Sequence, residues 1–178
     1  SGGQRQRVVI AIAMACGPEL IIADEPTTAL DVTIQSQILD LIAELVFEEN
    51  MSLILITHNL GIVAENTDQM LVMYAGNIVE SGPTKNVFEK LVHPYTRGLF
   101  SSIPNLRVPN TGKGLQSKYS QINRLPTIPG RVPEFWERSK GCSFVDRCPR
   151  AQANCSSKFP EVIQLGTAHS TTCFFPYE

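Results

Sequence analysis

The sequence predicts an α/β fold that continues into an irregular, cysteine-containing C-terminal region. Two observations predict the fold: short apolar runs typical of buried strands, and segments between them whose apolar residues recur at helical spacing. The first helix is expected over residues 5–15, because its alanines favour helix and Gly17-Pro18 would end it. The first strand, residues 20–25, follows. Open α/β sheets bind their ligands at the carboxyl ends of the strands, so the residues found there are the first candidates for function.

Two adjacent carboxylates, Asp24 and Glu25, end this first strand. Carboxylate oxygens suit Mg²⁺, so Asp24 is a candidate ligand for the magnesium of a bound nucleotide. Glu25 is then a candidate for orienting or activating the attacking water. The alternative is a core strand that simply ends in solvated acids. The flanking segments favour the magnesium and water site.

Residues 1–4, Ser-Gly-Gly-Gln, precede the first helix. A serine and two glycines at a helix start expose backbone N–H groups, and the helix dipole adds to their attraction for a phosphate. An ordinary N-cap with flexible glycines explains these residues equally well. Asp31 lies where the second helix should begin and is predicted to cap it, which leaves a role at a subunit interface open.

His58 directly follows a second predicted strand, residues 52–57. A lone histidine is more often structural than catalytic, but this one lies at the strand edge where a γ-phosphate contact would be made. Further along the chain we expect a strand over residues 69–74, a turn into a strand over 78–80, and two short helices over 84–91 and 94–100.

Composition narrows the possible partners. The chain has 178 residues, 43% of them hydrophobic, and a net charge of -2, so it has no basic footprint for nucleic acid. No apolar run approaches the roughly 20 residues of a spanning helix. A link to a membrane would therefore require a partner. Because the chain opens at Ser1 without a methionine, we expect it to be part of a longer protein.

Taken together, four short motifs resemble the signature motif, Walker B strand, D-loop and H-loop of ABC transporter ATPases, in that order and at the family's intervals. They are residues 1–4, 20–25, 29–31 and 57–58. Residues 93–99, which begin His-Pro-Tyr, and the proline-rich residues 125–133 resemble the C-terminal extension of ATP-binding subunits of oligopeptide, dipeptide and nickel importers.

The resemblance implies the C-terminal part of a P-loop NTPase (ABC ATPase) domain over residues 1–82. Residues 83–178 would be the importer extension, with a proline-rich linker (104–140) and a four-cysteine module (141–178). In this family two ATPase subunits close head to tail around two ATP molecules and drive transmembrane permease subunits. The implied location is cytoplasmic and peripheral to the inner face of the cell membrane.

The site residues implied by the resemblance follow position by position. Asp24 would serve the Mg²⁺, Glu25 the attacking water and His58 the γ-phosphate. Asp31 would lie at the interface with the second ATPase subunit, in a homo- or heterodimer. The residues that would contact the nucleotide held by that subunit are Ser1, Gly2, Gly3 and Gln4.

One departure from the family pattern limits the activity expected of these residues. No Gly-x-x-x-x-Gly-Lys-Ser/Thr sequence occurs among them, so the Walker A loop that cradles the phosphates is missing. We expect the chain, as written, to bind ATP weakly or not at all and not to hydrolyse it alone. The alternative function is a metal-stabilised regulatory or interaction module that has lost catalysis. A third possibility is a soluble ABC ATPase that acts in DNA repair or translation. The His-Pro-Tyr segment and the cysteines argue against it.

Four cysteines after residue 140 form the second candidate site: Cys142, Cys148, Cys155 and Cys173. Their gaps match neither a Cys-x-x-Cys zinc pair nor the common ferredoxin spacings, so spacing leaves the metal open. The module resembles that of dipeptide-importer ATPases, in which four cysteines ligate an iron–sulfur cluster. This resemblance favours [4Fe–4S], with zinc, reduced thiols or disulfides as alternatives. A metal there is expected to be structural, because a short irregular segment gains folding energy from it.

Four further expectations concern isolated features. We expect Cys16 to be an inert buried thiol. Phe135 and Trp136 should anchor the end of the linker against the core. His169 is a weak candidate for replacing a cysteine ligand. Residues 110–118 are the segment most expected to be disordered.

Overall fold

The computed structural model describes residues 1–103 and 126–178, so the segment predicted to be disordered lies outside the described residues. The chain divides into two compact units, residues 1–67 and 68–178, and we describe each by itself. Our predicted family boundary at residues 82 and 83 differs from this division, because strands 69–83 pack with the C-terminal residues. The limits of the ATPase part and of its extension, with the linker and the module, therefore remain a prediction.

The first unit contains helix α1 (Gly2–Met14), strand β1 (Leu20–Asp24), helix α2 (Val32–Glu48), strand β2 (Ser52–Ile56) and helix α3 (Leu60–Asn66). β1 and β2 pair in parallel, from Leu20 opposite Ser52 to Asp24 opposite Ile56, with α2 as the crossover between them. The α/β prediction is confirmed in this unit. Both strands end at one edge, so the residues that follow them are neighbours.

Apolar residues of α1 and α2 form the core of the first unit. Ile10, Ile38 and Ile42 are buried, and the partly buried Ile34 and Leu45 pack against them. Each fully buried side chain of this kind contributes about 1.5–3 kcal/mol. The helical spacing that predicted α2 thus identifies the face that meets α1.

The second unit is built on a four-stranded antiparallel sheet in the order β3, β4, β6, β5. Its elements are β3 (Gln69–Tyr74), β4 (Asn77–Pro83), α4 (Thr84–Lys90), α5 (Pro94–Ser101), α6 (Ala153–Ser157), β5 (Ile163–Gly166) and β6 (His169–Thr171). The predicted hairpin and both helices are confirmed. β5 and β6 were not predicted from the sequence, yet they extend the hairpin into a full sheet.

Glu80 on β4 lies at the centre of the second unit, with 0% of its surface exposed. Its carboxylate accepts hydrogen bonds from the backbone N–H groups of Val92 (3.2 Å) and His93 (2.9 Å), and it lies 3.0 Å from His169 Nε2. One carboxylate therefore joins β4, the start of α5 and β6. His169 uses Nε2 for this contact and does not line the cavity that the four cysteines share, so its role as a metal ligand stays a prediction.

Two predictions about isolated side chains are wrong. Phe135 and Trp136 are 76% and 80% exposed, because their short turn is held by polar contacts rather than by the core. Glu134 and Glu137 form a reciprocal cap there, and Arg131 pairs with Glu137. Cys16 is exposed because it lies in the turn just beyond the end of α1. In the part of the chain that the structure describes, no helix has the length and apolar character needed to cross a bilayer.

Candidate functional site

The candidate catalytic residues meet at the carboxyl edge of the β1–β2 pair. Glu25 extends the pairing by one residue, since its N–H donates to the carbonyl of Ile56 at 2.9 Å. His58 lies two residues beyond the end of β2. The parallel crossover thus brings together two side chains that are 33 positions apart.

Glu25 and His58 are in direct contact. Glu25 Oε1 lies 2.7 Å from His58 Nδ1, and Glu25 Oε2 accepts a hydrogen bond from the Thr28 hydroxyl at 2.8 Å. These bonds, His58 first and Thr28 second, lower the pKa of the Glu25 carboxyl. The carboxylate is therefore held ionised and oriented. The sequence placed Glu25 and His58 at one edge but did not indicate their contact, and it gave no sign of the part played by Thr28.

The backbone at Glu25 is unusual. Its φ angle is +48°, in the left-handed region, and Ala29 at the far end of the same turn has φ +61°. Neither residue is glycine, and a non-glycine residue in this region costs about 1–3 kcal/mol. Such strain concentrates where a side chain must be aimed, which is consistent with a functional turn.

Asp24 is exposed at the last position of β1. Among the residues that the structure describes, its carboxylate makes no hydrogen bond or ion pair. Both oxygens are accordingly available, and oxygen donors at an open position suit Mg²⁺, which keeps several of its waters. The chemistry of Asp24 therefore fits the predicted magnesium ligand.

Residues 1–4 form a complete N-terminal cap on α1. The Ser1 hydroxyl accepts from the Gln4 N–H at 3.4 Å, and the Gln4 side chain accepts from the Ser1 nitrogen at 2.9 Å. A Cβ on Gly3 would lie 2.7 Å from Ile34 Cγ2, and one on Gly2 would lie 2.9 Å from Leu30 Cδ2. Ser1 therefore caps α1, and the two glycines permit close packing against Leu30 and Ile34. Contact with a phosphate stays a prediction.

Asp31 caps α2 as predicted, with Oδ1 accepting from the Ile34 N–H at 3.0 Å. The Gln35 side chain, which sequence reasoning did not single out, donates to the Leu30 carbonyl at 2.9 Å and to that of Thr27 at 3.3 Å. These bonds fix the turn between β1 and α2. The place of Asp31 at a subunit interface remains a prediction.

All four C-terminal cysteines line one small cavity in the second unit. Cys142 and Cys148 flank the turn Val145–Arg147, Cys155 lies on α6, and Cys173 follows β6. The Cys142 N–H donates to the Cys155 carbonyl at 2.7 Å. A Cβ on Gly141 would collide with the backbone of Cys155 and Ser156, so only glycine permits this approach. The fold thus brings together cysteines whose spacing matches no common motif.

Burial governs the protonation of these thiols. It raises the pKa of Cys142 and Cys148, and that of Cys173 to about 11, with the neighbouring cysteines adding to the rise. Three of the four therefore favour the neutral thiol until a cation is present. A bound metal reverses this preference, because it stabilises the thiolate.

The cavity is small. Its volume is about 10 Å³, roughly the room that one water molecule needs. As they now lie, no three or more His, Cys, Asp or Glu side chains among the described residues are arranged to hold a metal ion. Four thiols are nevertheless the number and kind of donors that a soft metal prefers.

Two family models match the chain. The model described as "ABC transporter" covers residues 1–28, and the model described as "Oligopeptide/dipeptide transporter, C-terminal region" covers residues 79–155. These are the segments that carry the signature and Walker B motifs and the His-Pro-Tyr extension with three of the four cysteines. The matches confirm the resemblance stated from the motifs.

Curated relatives agree with these models. A protein of Brucella melitensis named as a peptide import ATP-binding protein is 49% identical over 173 residues, which are 97% of this chain and 48% of the relative. A protein of Sinorhizobium fredii named as a peptide ABC transporter ATP-binding protein is 49% identical over 174 residues, 98% of this chain and 49% of the relative. The chain spans about half the length of the curated relatives it matches. The alternative of a non-catalytic module is not favoured. Residues 1–28 thus match the ABC transporter family and residues 79–155 the C-terminal region of oligopeptide/dipeptide transporters, and almost the whole chain is similar to proteins named as ATP-binding proteins of peptide import.

Proposed function

We propose that the full-length protein is the ATP-hydrolysing subunit of an ABC importer for peptides. The observation that carries the proposal is the contact between Glu25 and His58 at the carboxyl edge of β1 and β2. The names of the relatives, which specify peptide import, support the substrate class. Whether oligopeptides, dipeptides or nickel are carried would be decided by other subunits.

In the proposed mechanism Glu25 orients the attacking water. Its carboxylate accepts bonds from His58 and Thr28 that lower its pKa, which makes it a weak proton acceptor. Holding and polarising the water is therefore favoured over removing a proton before the phosphate bond breaks. His58 uses Nδ1 for Glu25 and exposes 83% of its side chain, so Nε2 is available for the γ-phosphate.

The remaining roles complete a site shared between two subunits. Asp24 would hold the Mg²⁺, which neutralises charge on the phosphates when it is bound. Ser1, Gly2, Gly3 and Gln4 would contact the nucleotide of the second ATPase subunit, because the start of a helix attracts a phosphate. Asp31 would lie at that interface. We further propose that permease subunits anchor the assembly at the cytoplasmic face of the membrane.

The direct test is phosphate release from ATP by the purified full-length protein, with and without Mg²⁺. We expect hydrolysis that requires Mg²⁺ and rises more than linearly with protein concentration, because two subunits are needed for each site. Tight ATP binding without any phosphate release, also in the presence of the permease subunits, would contradict the proposal.

We also propose that Cys142, Cys148, Cys155 and Cys173 hold an iron–sulfur cluster, with zinc as the alternative. The convergence of four thiols on one cavity supports this proposal, because thiolates are the ligands that soft metals and iron–sulfur clusters prefer. When bound, the metal would add folding energy to a region with little regular structure.

Cys148→Ser should release the metal and loosen the C-terminal region, because serine is a poor ligand for soft metals. We expect metal affinity to fall by more than about tenfold. Removing a residue that only hydrogen-bonds to a metal ligand already costs about tenfold, and removing a ligand itself should cost more. Iron, zinc and acid-labile sulfide would be measured on protein purified without oxygen. Cys16→Ser is the matched control, since Cys16 is exposed and lies outside the module. Equal metal content in the unchanged protein, Cys148→Ser and Cys16→Ser would refute the four-cysteine site.

A further inference from the structure

A groove of about 510 Å³ lies in the second unit, and Cys148 of the cysteine module is one of the residues that line it. It is lined by Pro94, Arg97, Gly98 and Ser101 of α5, by residues 126–129 and 146–149, and by Tyr177. The volume is in the range of about 300–1,000 Å³ that is typical of sites for small ligands.

The walls of this groove are held in place by specific bonds. Arg147 donates from Nε to the Pro129 carbonyl at 2.7 Å, from Nη2 to that of Ile128 at 3.2 Å, and from Nη1 to the Tyr74 hydroxyl at 3.3 Å. A Cβ on Gly98 would lie 2.9 Å from Ile128 Cγ1, so glycine allows the extended segment to meet α5. The groove is therefore a built feature of the unit.

Two opposite charges in the groove have unused binding capacity. The Arg97 guanidinium lies 3.7 Å above the Tyr177 ring, and its Nε donates to the Leu91 carbonyl. Among the described residues, its two terminal nitrogens have no hydrogen-bond acceptor. Within the same part of the chain, the Asp146 carboxylate has neither a hydrogen bond nor an ion pair. One site thus presents a cation, an anion and apolar walls.

The extended segment that lines the same groove also has unused backbone groups. Pro126, Thr127, Ile128 and Pro129 form no helix or strand, and Arg147 binds the carbonyls of the last two. The N–H and carbonyl of Thr127 make no backbone hydrogen bond within the described ranges 1–103 and 126–178. An exposed extended backbone of this kind can pair with a second extended chain.

We propose that this groove binds a short peptide with free ends. Its carboxylate would pair with Arg97, its ammonium group with Asp146, and its backbone with Thr127. This inference rests on the proposed function, because an importer releases such peptides on the side of the membrane where this subunit would lie. Occupation of the groove would then report the amount of imported peptide.

The test is isothermal titration of the intact protein with alanyl-phenylalanine in the absence of nucleotide. The comparison ligand is the same dipeptide with an acetylated amino end and an amidated carboxyl end. We expect the free dipeptide to bind at least about tenfold more tightly, because charge-assisted bonds are roughly twice as strong as neutral ones. Asp146→Asn should weaken binding of the free dipeptide by a similar factor, and Asp40→Asn, on α2 of the first unit, should not.

Equal affinity for the free and capped dipeptides would overturn the inference, and so would no detectable binding at about 1 mM peptide, a concentration that corresponds to weak recognition. Because Asp146 lies next to the cysteine module, metal content is measured on Asp146→Asn, and Arg97→Lys provides a second variant. An unchanged affinity in both variants would also refute the site. Phosphate release from the same preparations keeps the two proposals apart, since a failed groove leaves ATP hydrolysis intact.

Discussion

Glu25→Gln in the full-length protein should reduce ATP hydrolysis by at least about 100-fold, the lower bound for losing a group that acts on the attacking water. ATP binding should be nearly unchanged, because glutamine keeps the shape of the side chain and Asp24 remains available for Mg²⁺. The effect would be measured as a loss of turnover at saturating ATP, with nucleotide affinity determined separately.

Glu19→Gln is the matched control for this experiment. Glu19 is an exposed acid just before β1, at the opposite end of the strand from Glu25. The Glu19→Gln variant should hydrolyse ATP at the normal rate. If Glu25→Gln also retained near-normal hydrolysis, Glu25 would have no role in activating or orienting the water.

Glu80→Ala should destabilise the second unit by at least about 3 kcal/mol. The substitution leaves His169 and the N–H groups of Val92 and His93 buried without an acceptor, and each unsatisfied group costs about 1–3 kcal/mol. The loss of unfolding free energy would be measured by urea unfolding of the intact protein. Hydrogen exchange at residues of β4 and β6 would serve as the probe of the second unit.

Two further variants show whether the lost stability comes from the buried carboxylate of Glu80. Glu80→Gln keeps one acceptor oxygen and should cost less than Glu80→Ala. Glu89→Ala removes an exposed acid from α4 and should change the free energy of unfolding by no more than about 0.5 kcal/mol. A stability of Glu80→Ala within the range of Glu89→Ala would show that the buried carboxylate does not hold the unit together.

His93 shows how closely this interior is packed. Burial lowers its pKa to about 4, and its neutral Nδ1 accepts the Tyr95 N–H at 3.0 Å as the N-cap of α5. The opening histidine of the His-Pro-Tyr segment is therefore structural in this protein. Its backbone N–H binds Glu80, and its ring lines the cysteine cavity. The segment that marks the importer extension thus connects the sheet with the cysteine module.

Local patterns predicted most of the regular structure. The strand over residues 69–74 and the apolar face of α2 can each be recognised from the spacing of apolar residues within a few positions. β6 could not be predicted this way, because its residues His169 and Thr171 are polar. They are buried nonetheless, where His169 Nε2 contacts Glu80 and the Thr171 hydroxyl donates to the carbonyl of Val79. The predictions that Cys16 and Trp136 are buried were wrong for the opposite reason. Residue type suggested burial, but no core surface is available at either position.

The candidate site was predictable to the level of the sheet edge. Strand ends placed Asp24, Glu25 and His58 together, whereas the hydrogen bond between Glu25 and His58 depends on the left-handed turn at Glu25, which no local pattern reveals. The cysteines show the same limit. Their number predicted a soft-metal donor set, but only the fold shows that α6 and the end of β6 bring Cys155 and Cys173 to the loop that carries the other two.

ATP-driven peptide uptake tests the central claim most directly. The full-length protein would be assembled with its permease subunits in lipid vesicles, and the movement of a labelled peptide would be measured with ATP on the side of the ATPase subunit. The account predicts transport that requires ATP and stops with Glu25→Gln. Hydrolysis of ATP without any peptide movement, in an assembly that binds the peptide, would contradict it.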